Sequence, residues 1–156
     1  MTNKKEQGEW VQMASLARQE PKILLYSRAK SKFDRELEKM LGGLALKRNI
    51  ELFRTISDLS FRLRMPVCES SITILIASDE KDLSSIISIR NLLSDRRIVL
   101  ILPDKNEGTV ETGHRLHPRF LSFQDNNVRE IGAVLARMIE VGAHTGGIGY
   151  HKGLYA

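Results

Sequence analysis

The feature that most constrains the fold of this chain is a short apolar run, Ile72–Ala77, which stops abruptly at Ser78 and Asp79. The run is rich in β-branched residues, which is typical of a strand buried on both faces of a parallel sheet. In open α/β sheets, ligands bind just beyond the carboxyl ends of such strands. The run therefore predicts a central strand, and Ser78 and Asp79 mark the position where a site would lie.

Four further apolar runs are predicted to be strands, and helical patterns separate them. The runs cover residues 22–26, 50–55, 98–102 and 119–123. Apolar spacing predicts helices over 30–47, 56–63, 80–93 and 128–141, and a loop or short helix over 104–117. Alternating strands and helices indicate a parallel sheet with helices on both faces. We therefore predict a three-layer α/β/α sandwich with five parallel strands in the order 2-1-3-4-5.

The predicted helices carry local signals about where they begin, end and pack. Gly42 and Gly43 disfavour a helix interior, so either close packing requires small residues there or the helix ends nearby. Asp79 is placed to cap the helix that follows it. One side of that helix carries Leu83, Ile86, Ile87, Arg90 and Leu93. The inner face of the last helix is predicted to carry Val128, Ile131, Leu135 and Met138.

The length of 156 residues favours one domain. We assign residues 1–20 to an N-terminal extension, 21–141 to the domain, and 142–156 to a flexible tail rich in glycine and histidine. Cys68 is the single cysteine, so no intramolecular disulfide can form, which fits a reducing cytoplasm. The chain has no apolar stretch of the ~20 residues that a membrane span needs and no secretory signal, so no membrane association is predicted.

The formal net charge is +5, and the basic residues are scattered among acidic ones. Nucleic-acid-binding proteins often cluster lysine and arginine on one face. The densest basic groups here are small: Lys47 with Arg48, Arg62 with Arg64, and Arg96 with Arg97. The pattern indicates a solvated, moderately positive surface and argues against nucleic acid as a partner.

The order and lengths of the predicted elements over residues 22–140 resemble the receiver domain of bacterial two-component response regulators. The resemblance implies a flavodoxin-like receiver fold. It also implies four chemical requirements: two acidic residues after the first strand to hold Mg²⁺, an aspartate at the end of the third to accept a phosphoryl group, a hydroxyl after the fourth, and a lysine after the fifth.

The positions that correspond to these four requirements hold other residue types. They are Ser27 and Arg28 after the first strand, Ser78 after the third, Leu102 and Pro103 after the fourth, and Phe123 and Gln124 after the fifth. Phosphoryl transfer depends on positioning and charge neutralisation, and little of either remains. We interpret the chain as a degenerate pseudo-receiver, without catalytic residues, metal or cofactor.

The predicted function is that of a signalling or scaffold module acting by protein–protein contact, independently of phosphorylation. Receivers usually make such contacts through the fourth helix, fifth strand and fifth helix. The matching region here is 104–140, so we predict homodimerisation through that region.

Two alternatives remain open at this stage. Asp79 would be a true phosphoacceptor if the third strand ended one residue later, although its position after the strand favours helix capping. A small-molecule or nucleotide binder would use the cleft around Ser27, Arg28, Ser78 and Pro103, where the arginine would meet an anion.

Three weaker signals favour ordinary structural interpretations. His114 and His117 have the i, i+3 spacing of metal ligands, with Glu111 nearby, but they are predicted to be surface histidines. The glycine-rich segment 146–149 follows the last helix and precedes no other element, unlike a phosphate-binding loop. Cys68 has no evident base beside it and is predicted to be a loop residue.

Overall fold

A computed structural model of the chain describes residues 21–45 and 47–144, and it has five strands and six helices over those ranges. The strands are β1 Ile23–Ser27, β2 Ile50–Phe53, β3 Ile72–Ile76, β4 Arg97–Leu102 and β5 Phe120–Phe123. The helices are α1 Lys32–Leu44, α2 Ile56–Leu63, α3 Glu80–Ser88, α4 Arg90–Leu93, α5 Glu107–His114 and α6 Val128–His144. A 3₁₀ turn, Lys47–Asn49, precedes β2.

The five strands form one parallel sheet in the order β2-β1-β3-β4-β5, which confirms the predicted fold class. All residues of β1 and β3 are buried, as continuous apolar runs require. Alternate strand residues face two separate cores. One core lies beneath α2, α3, α4 and α5, and the other lies beneath α1 and α6.

The register of the strands brings their carboxyl ends to one edge of the sheet. Ser27 pairs with Ile76, and Ile76 pairs with Ile101 on the other side. Leu102 pairs with Phe123. The segments that follow β1, β3, β4 and β5 therefore start next to one another, and we call this border the carboxyl edge.

The prediction of a single helix over 80–93 is wrong in one respect: the structure has two helices there, α3 and α4, separated by a break at Ile89. Ser88 Oγ donates to the Ser85 carbonyl at 2.5 Å, and the Ile89 N–H bonds to the Ile86 carbonyl at 3.1 Å. These i to i−3 bonds tighten the last turn of α3 and end it. As a result Arg90 is exposed rather than placed on the inner face, whereas Leu83, Ile86 and Leu93 are buried as predicted.

Glycine positions explain the remaining differences in the helices. Helix α1 ends at Leu44, directly after Gly42 and Gly43. A Cβ at either glycine would meet no other atom within 4 Å, so close packing does not require glycine there. Of the two predicted explanations, the nearby helix end is the one that fits. Gly113 lies in α5, within the segment where a loop was the alternative. A Cβ at Gly113 would lie 3.1–3.2 Å from methyl groups of Leu100 and Leu102, so α5 approaches β4 closely.

Helix α6 continues to His144, three residues beyond the predicted end at 141. Its buried inner residues, Ile131, Leu135 and Met138, are those predicted, while Val128 is half-buried. The assigned extension 1–20, the tail beyond 144 and its segment 146–149 lie outside the described residues. No helix within the described ranges combines the length and apolarity needed to cross a bilayer.

Candidate functional site

The carboxyl end of β1 is occupied by a buried serine whose hydroxyl is fully bonded. Ser27 is inaccessible to solvent, and its Oγ donates to the carboxylate of Asp34 on α1. The same Oγ accepts a hydrogen bond from Arg54 Nη1 at 3.1 Å. Asp34, which is 1% exposed, also accepts from Ser31 Oγ at 2.5 Å. This hydroxyl is therefore unavailable to an external ligand without breaking native bonds.

Arg54 follows β2 and connects the end of β1 to α1. Its Nη1 also donates to the Ser27 carbonyl at 3.0 Å, and its Nη2 forms an ion pair with Glu38 on α1 at 3.0 Å. The guanidinium is half-buried between the two elements. Because like charges repel, a guanidinium at this end of the sheet opposes the binding of a divalent cation there.

A second buried carboxylate, Asp82 in the first turn of α3, lies on the other face of β1. Its Oδ1 accepts from the Tyr26 hydroxyl at 2.5 Å, and its Oδ2 accepts from the Ser78 N–H at 2.9 Å and from Ser78 Oγ at 3.0 Å. Burial, together with the hydrogen bond to Asp82, raises the pKa of the Tyr26 phenol well above its ordinary range. Three donors thus satisfy a carboxylate that is 1% exposed.

Asp79 is the residue that caps α3, which confirms the capping prediction. Its backbone is extended, and its Oδ1 accepts from the Asp82 N–H at 2.7 Å. The side chain is exposed, whereas Ser78 beside it is half-buried. Asp79 therefore faces solvent, and within the described residues it has no ion-pair partner.

The ends of β4 and β5 are largely apolar. Leu102 is fully buried, and Pro103 and Phe123 are half-buried. Gln124, where the resemblance would require a lysine, donates from Nε2 to the Ala77 carbonyl at 2.6 Å and so ties β5 to the end of β3. The Nζ of Lys105 lies 5.4 Å from the Phe123 ring centroid and pairs with exposed Asp125 at 3.5 Å.

The structure brings Ser27 and Ser78 to the carboxyl edge, but it gives each a carboxylate that the sequence interpretation missed. Those carboxylates are Asp34 and Asp82. Both follow a capping residue at a spacing of three, Ser31 to Asp34 and Asp79 to Asp82, which is the spacing of a capping box. That spacing was available in the sequence, although burial of these side chains was not.

The remaining candidates form no metal site among the described residues. His114 ends α5 and His117 follows it, and both are exposed. Cys68 is half-buried in the connection before β3, with its Sγ 3.0 Å from Ser70 Oγ. Over 21–45 and 47–144, no three histidine, cysteine, aspartate or glutamate side chains are grouped as metal ligands would be.

The chain is similar in structure to three solved proteins of low sequence identity. One, from Burkholderia pseudomallei and described as related to pilus assembly, is 17% identical with a TM-score of 0.55, over 79% of this chain and 92% of that one. A CheY-like protein, TadZ, from Pseudomonas aeruginosa is 11% identical with a TM-score of 0.55, over 75% and 98%. CpaE from Burkholderia thailandensis, described as a pilus assembly protein, is 18% identical with a TM-score of 0.52, over 78% and 99%.

No family model and no curated protein matches the sequence. At identities of 11–18% the structural similarity shows a shared CheY-like fold. Function has to be argued from the residues at the site.

Proposed function

We propose that the chain is a non-enzymatic, receiver-like signalling or scaffold module that works in the cytoplasm through protein–protein contact, independently of phosphorylation. One observation carries the proposal: the polar groups at the carboxyl edge bind one another. Ser27 is bonded to Asp34 and Arg54, and Ser78 is bonded to Asp82. Such an edge holds the strands and helices together and leaves little capacity for chemistry.

Phosphoryl transfer requires a positioned acceptor and positive groups that neutralise the developing charge. The acidic pair that would hold Mg²⁺ is replaced by a buried serine and the exposed Arg28. The two buried carboxylates at this edge accept hydrogen bonds from internal donors. Asp79 is exposed and caps a helix. The end of β4, where a receiver has a hydroxyl, holds the apolar Leu102 and Pro103.

The experiment that tests this proposal is incubation with Mg²⁺ and acetyl phosphate followed by intact-mass measurement. We expect no phosphoryl adduct. The matched control variants are Asp79→Ala and Asp58→Ala, because both aspartates are exposed near the start of a helix. An adduct that Asp79→Ala abolishes and Asp58→Ala retains would establish Asp79 as a phosphoacceptor and overturn the proposal.

We further propose that the region 104–140 mediates homodimerisation. This region contains the edge strand β5, whose outer side has no neighbouring strand among the described residues. Multi-angle light scattering should show a dimer at high micromolar concentration. A monomeric mass at that concentration would contradict this part of the proposal and would leave the phosphorylation argument unaffected.

A second candidate function, anion binding at the carboxyl edge, has one observation in its favour. Arg28 is exposed there, and it makes no side-chain hydrogen bond or ion pair with the described part of the chain. Thermal-shift screening with nucleotides and inorganic phosphate tests it. Stabilisation that Arg28→Ala removes would support this candidate, and an unchanged melting temperature across the panel would eliminate it.

A further inference from the structure

A solvent-facing cleft of about 630 Å³ lies between α4 and the carboxyl-terminal end of α5, away from the carboxyl-edge residues described above. We call it the α4–α5 groove. The residues that matter for its chemistry are Arg90, Glu111, His114, Arg115, Leu116 and His117. All of them are exposed except Leu116, which is 6% exposed and forms the apolar floor.

The two arginines of the groove are exposed and accessible to a ligand. Arg90 and Arg115 make no side-chain hydrogen bond or ion pair with residues 21–45 or 47–144. Three arginines elsewhere in the domain are used internally: Arg62 pairs with Glu51 at 2.7 Å, and Arg96 and Arg97 donate to backbone carbonyls at 2.7–2.9 Å. Glu111 is the one acidic residue lining the groove, so the cationic groups exceed the anionic ones.

Two local backbone features produce this arrangement. The break at Ile89 turns Arg90 out of the core and into the wall of the groove. On the opposite wall, His117 has a φ of 50°, a left-handed conformation that non-glycine residues rarely adopt. That turn follows α5 directly and holds His114, Arg115 and His117 around the end of the helix.

We propose that the α4–α5 groove binds an extended acidic segment of a partner protein. The inference rests on the proposed function, because it names the chemistry of the partner that such an interaction module would recognise. Arginine guanidinium groups bind carboxylates through paired, charge-assisted hydrogen bonds. Arg90 and Arg115, which come from different segments, would each contact an acidic side chain of the peptide, and Leu116 would contact an apolar one.

The shape of the groove favours a peptide over other anionic ligands. Small molecules are usually bound in pockets that bury most of their surface, whereas this groove is lined almost entirely by exposed residues. A nucleic-acid backbone presents closely spaced negative charges and is bound by an extended basic surface. Here Glu111 interrupts the positive lining, which suits separated carboxylates better than a continuous phosphate chain.

Fluorescence anisotropy tests the proposal. The probe is a labelled peptide of about ten residues in which glutamates are separated by serine and leucine. The same peptide with glutamine in place of glutamate is the ligand control. The groove variant is Arg90→Glu with Arg115→Glu. The protein control is Arg35→Glu with Lys39→Glu, which removes the same formal charge from exposed positions on α1. Circular dichroism establishes that both variants are folded.

We expect saturable binding of the glutamate peptide at low salt, at least tenfold weaker for the groove variant and nearly unchanged for the α1 control. Equal weakening in both variants would mean attraction by net charge alone and would overturn the proposal. So would equal binding of the glutamine peptide, or no binding to the unmodified chain. Amide chemical shifts should change around residues 90–94 and 111–117, and changes centred elsewhere would also overturn it.

Failure of this test is distinguishable from failure of the proposed function. The acetyl phosphate experiment, with its Asp79→Ala variant, tests phosphorylation at Asp79 and does not involve the groove. If the chain is not phosphorylated and does not bind acidic peptides, the proposed function stands and the acidic partner is rejected. If the chain is phosphorylated at Asp79 and binds acidic peptides through the groove, the proposed function is rejected and the acidic ligand of the groove is supported.

Discussion

The buried part of the carboxyl edge and the exposed α4–α5 groove use charged side chains in opposite ways. At the carboxyl edge, buried Asp34 and Asp82 and half-buried Arg54 are each satisfied by internal partners. In the groove, Arg90 and Arg115 are exposed and have no partner in the described part of the chain. A buried charge must be paired for the domain to fold, whereas an exposed charge costs little to leave free. Binding capacity therefore remains where the fold does not require the charges.

The largest effect on this comparison is expected from Asp82→Ala. The change removes the shared acceptor of the buried Tyr26 hydroxyl and of the half-buried Ser78 N–H and Ser78 Oγ. Unpaired buried donors cost about 1–3 kcal/mol each when water cannot reach them, so we expect a loss near 3 kcal/mol in the free energy of unfolding. Urea denaturation followed by circular dichroism measures it.

The matched variant Asp79→Ala removes a carboxylate three residues away that is exposed. It should cost only about 1 kcal/mol, as expected for a lost helix cap. Equal losses for Asp79→Ala and Asp82→Ala would show that the buried network at the carboxyl edge does not stabilise the domain in the way described.

The second prediction concerns Tyr26 at alkaline pH. In the unfolded chain its phenol ionises near the ordinary pKa of 10.0, whereas burial and Asp82 keep it protonated to higher pH in the folded state. Its contribution is therefore fully present below pH 10.0 and is lost as the pH rises through the raised folded pKa. Tyr26→Phe should cost about 1–2 kcal/mol at neutral pH, because Asp82 loses a donor.

Urea denaturation of both proteins over a series of alkaline pH values isolates this contribution, because the phenol of Tyr26 is the one group by which the two proteins differ. The difference in unfolding free energy between them should shrink as the pH rises above 10.0. A difference that stays constant over that range would mean that Tyr26 is not held protonated by its surroundings.

The third prediction compares two arginines, one from each region. Arg54→Ala removes two hydrogen bonds to Ser27 and the ion pair with Glu38, and should lower the free energy of unfolding by about 1–2 kcal/mol. Arg90→Ala removes a side chain with no partner among the described residues and should change it by less than about 0.5 kcal/mol. Thermal and urea unfolding of both variants give the comparison, and similar losses would remove the distinction between the two regions.

The fourth prediction is a stabilising change at Thr109, whose hydroxyl is buried without a hydrogen-bond partner among the described residues. Valine has the same shape without the polar atom, so Thr109→Val should raise the free energy of unfolding by about 1 kcal/mol. Differential scanning calorimetry measures the change in melting temperature. A destabilised variant would show that the hydroxyl is satisfied after all, and that polar groups under α5 resemble those of the carboxyl edge.

The helix break at Ile89 shows where interpretation of the sequence reached its limit. The apolar spacing of residues 80–93 fits one continuous helix and places Arg90 with Leu83 and Leu93 on one side. Serine hydroxyls that compete for backbone carbonyls end α3 early, and this local hydrogen bonding is not visible in a hydrophobic pattern. The same break exposes Arg90 and forms one wall of the groove.

The sequence by itself determined the fold class and the capping role of Asp79, and the strand order was predicted as the common arrangement for such a sheet. Apolar runs, their alternation with helical spacing and the residue types at helix starts are properties of short segments, so they can be read without the tertiary structure. Only the tertiary structure decided which charges are paired. The partners of Arg54 and Asp82 come from other elements, and whether Arg90 is buried depends on the path of the backbone, because burial and pairing are properties of distant segments brought together.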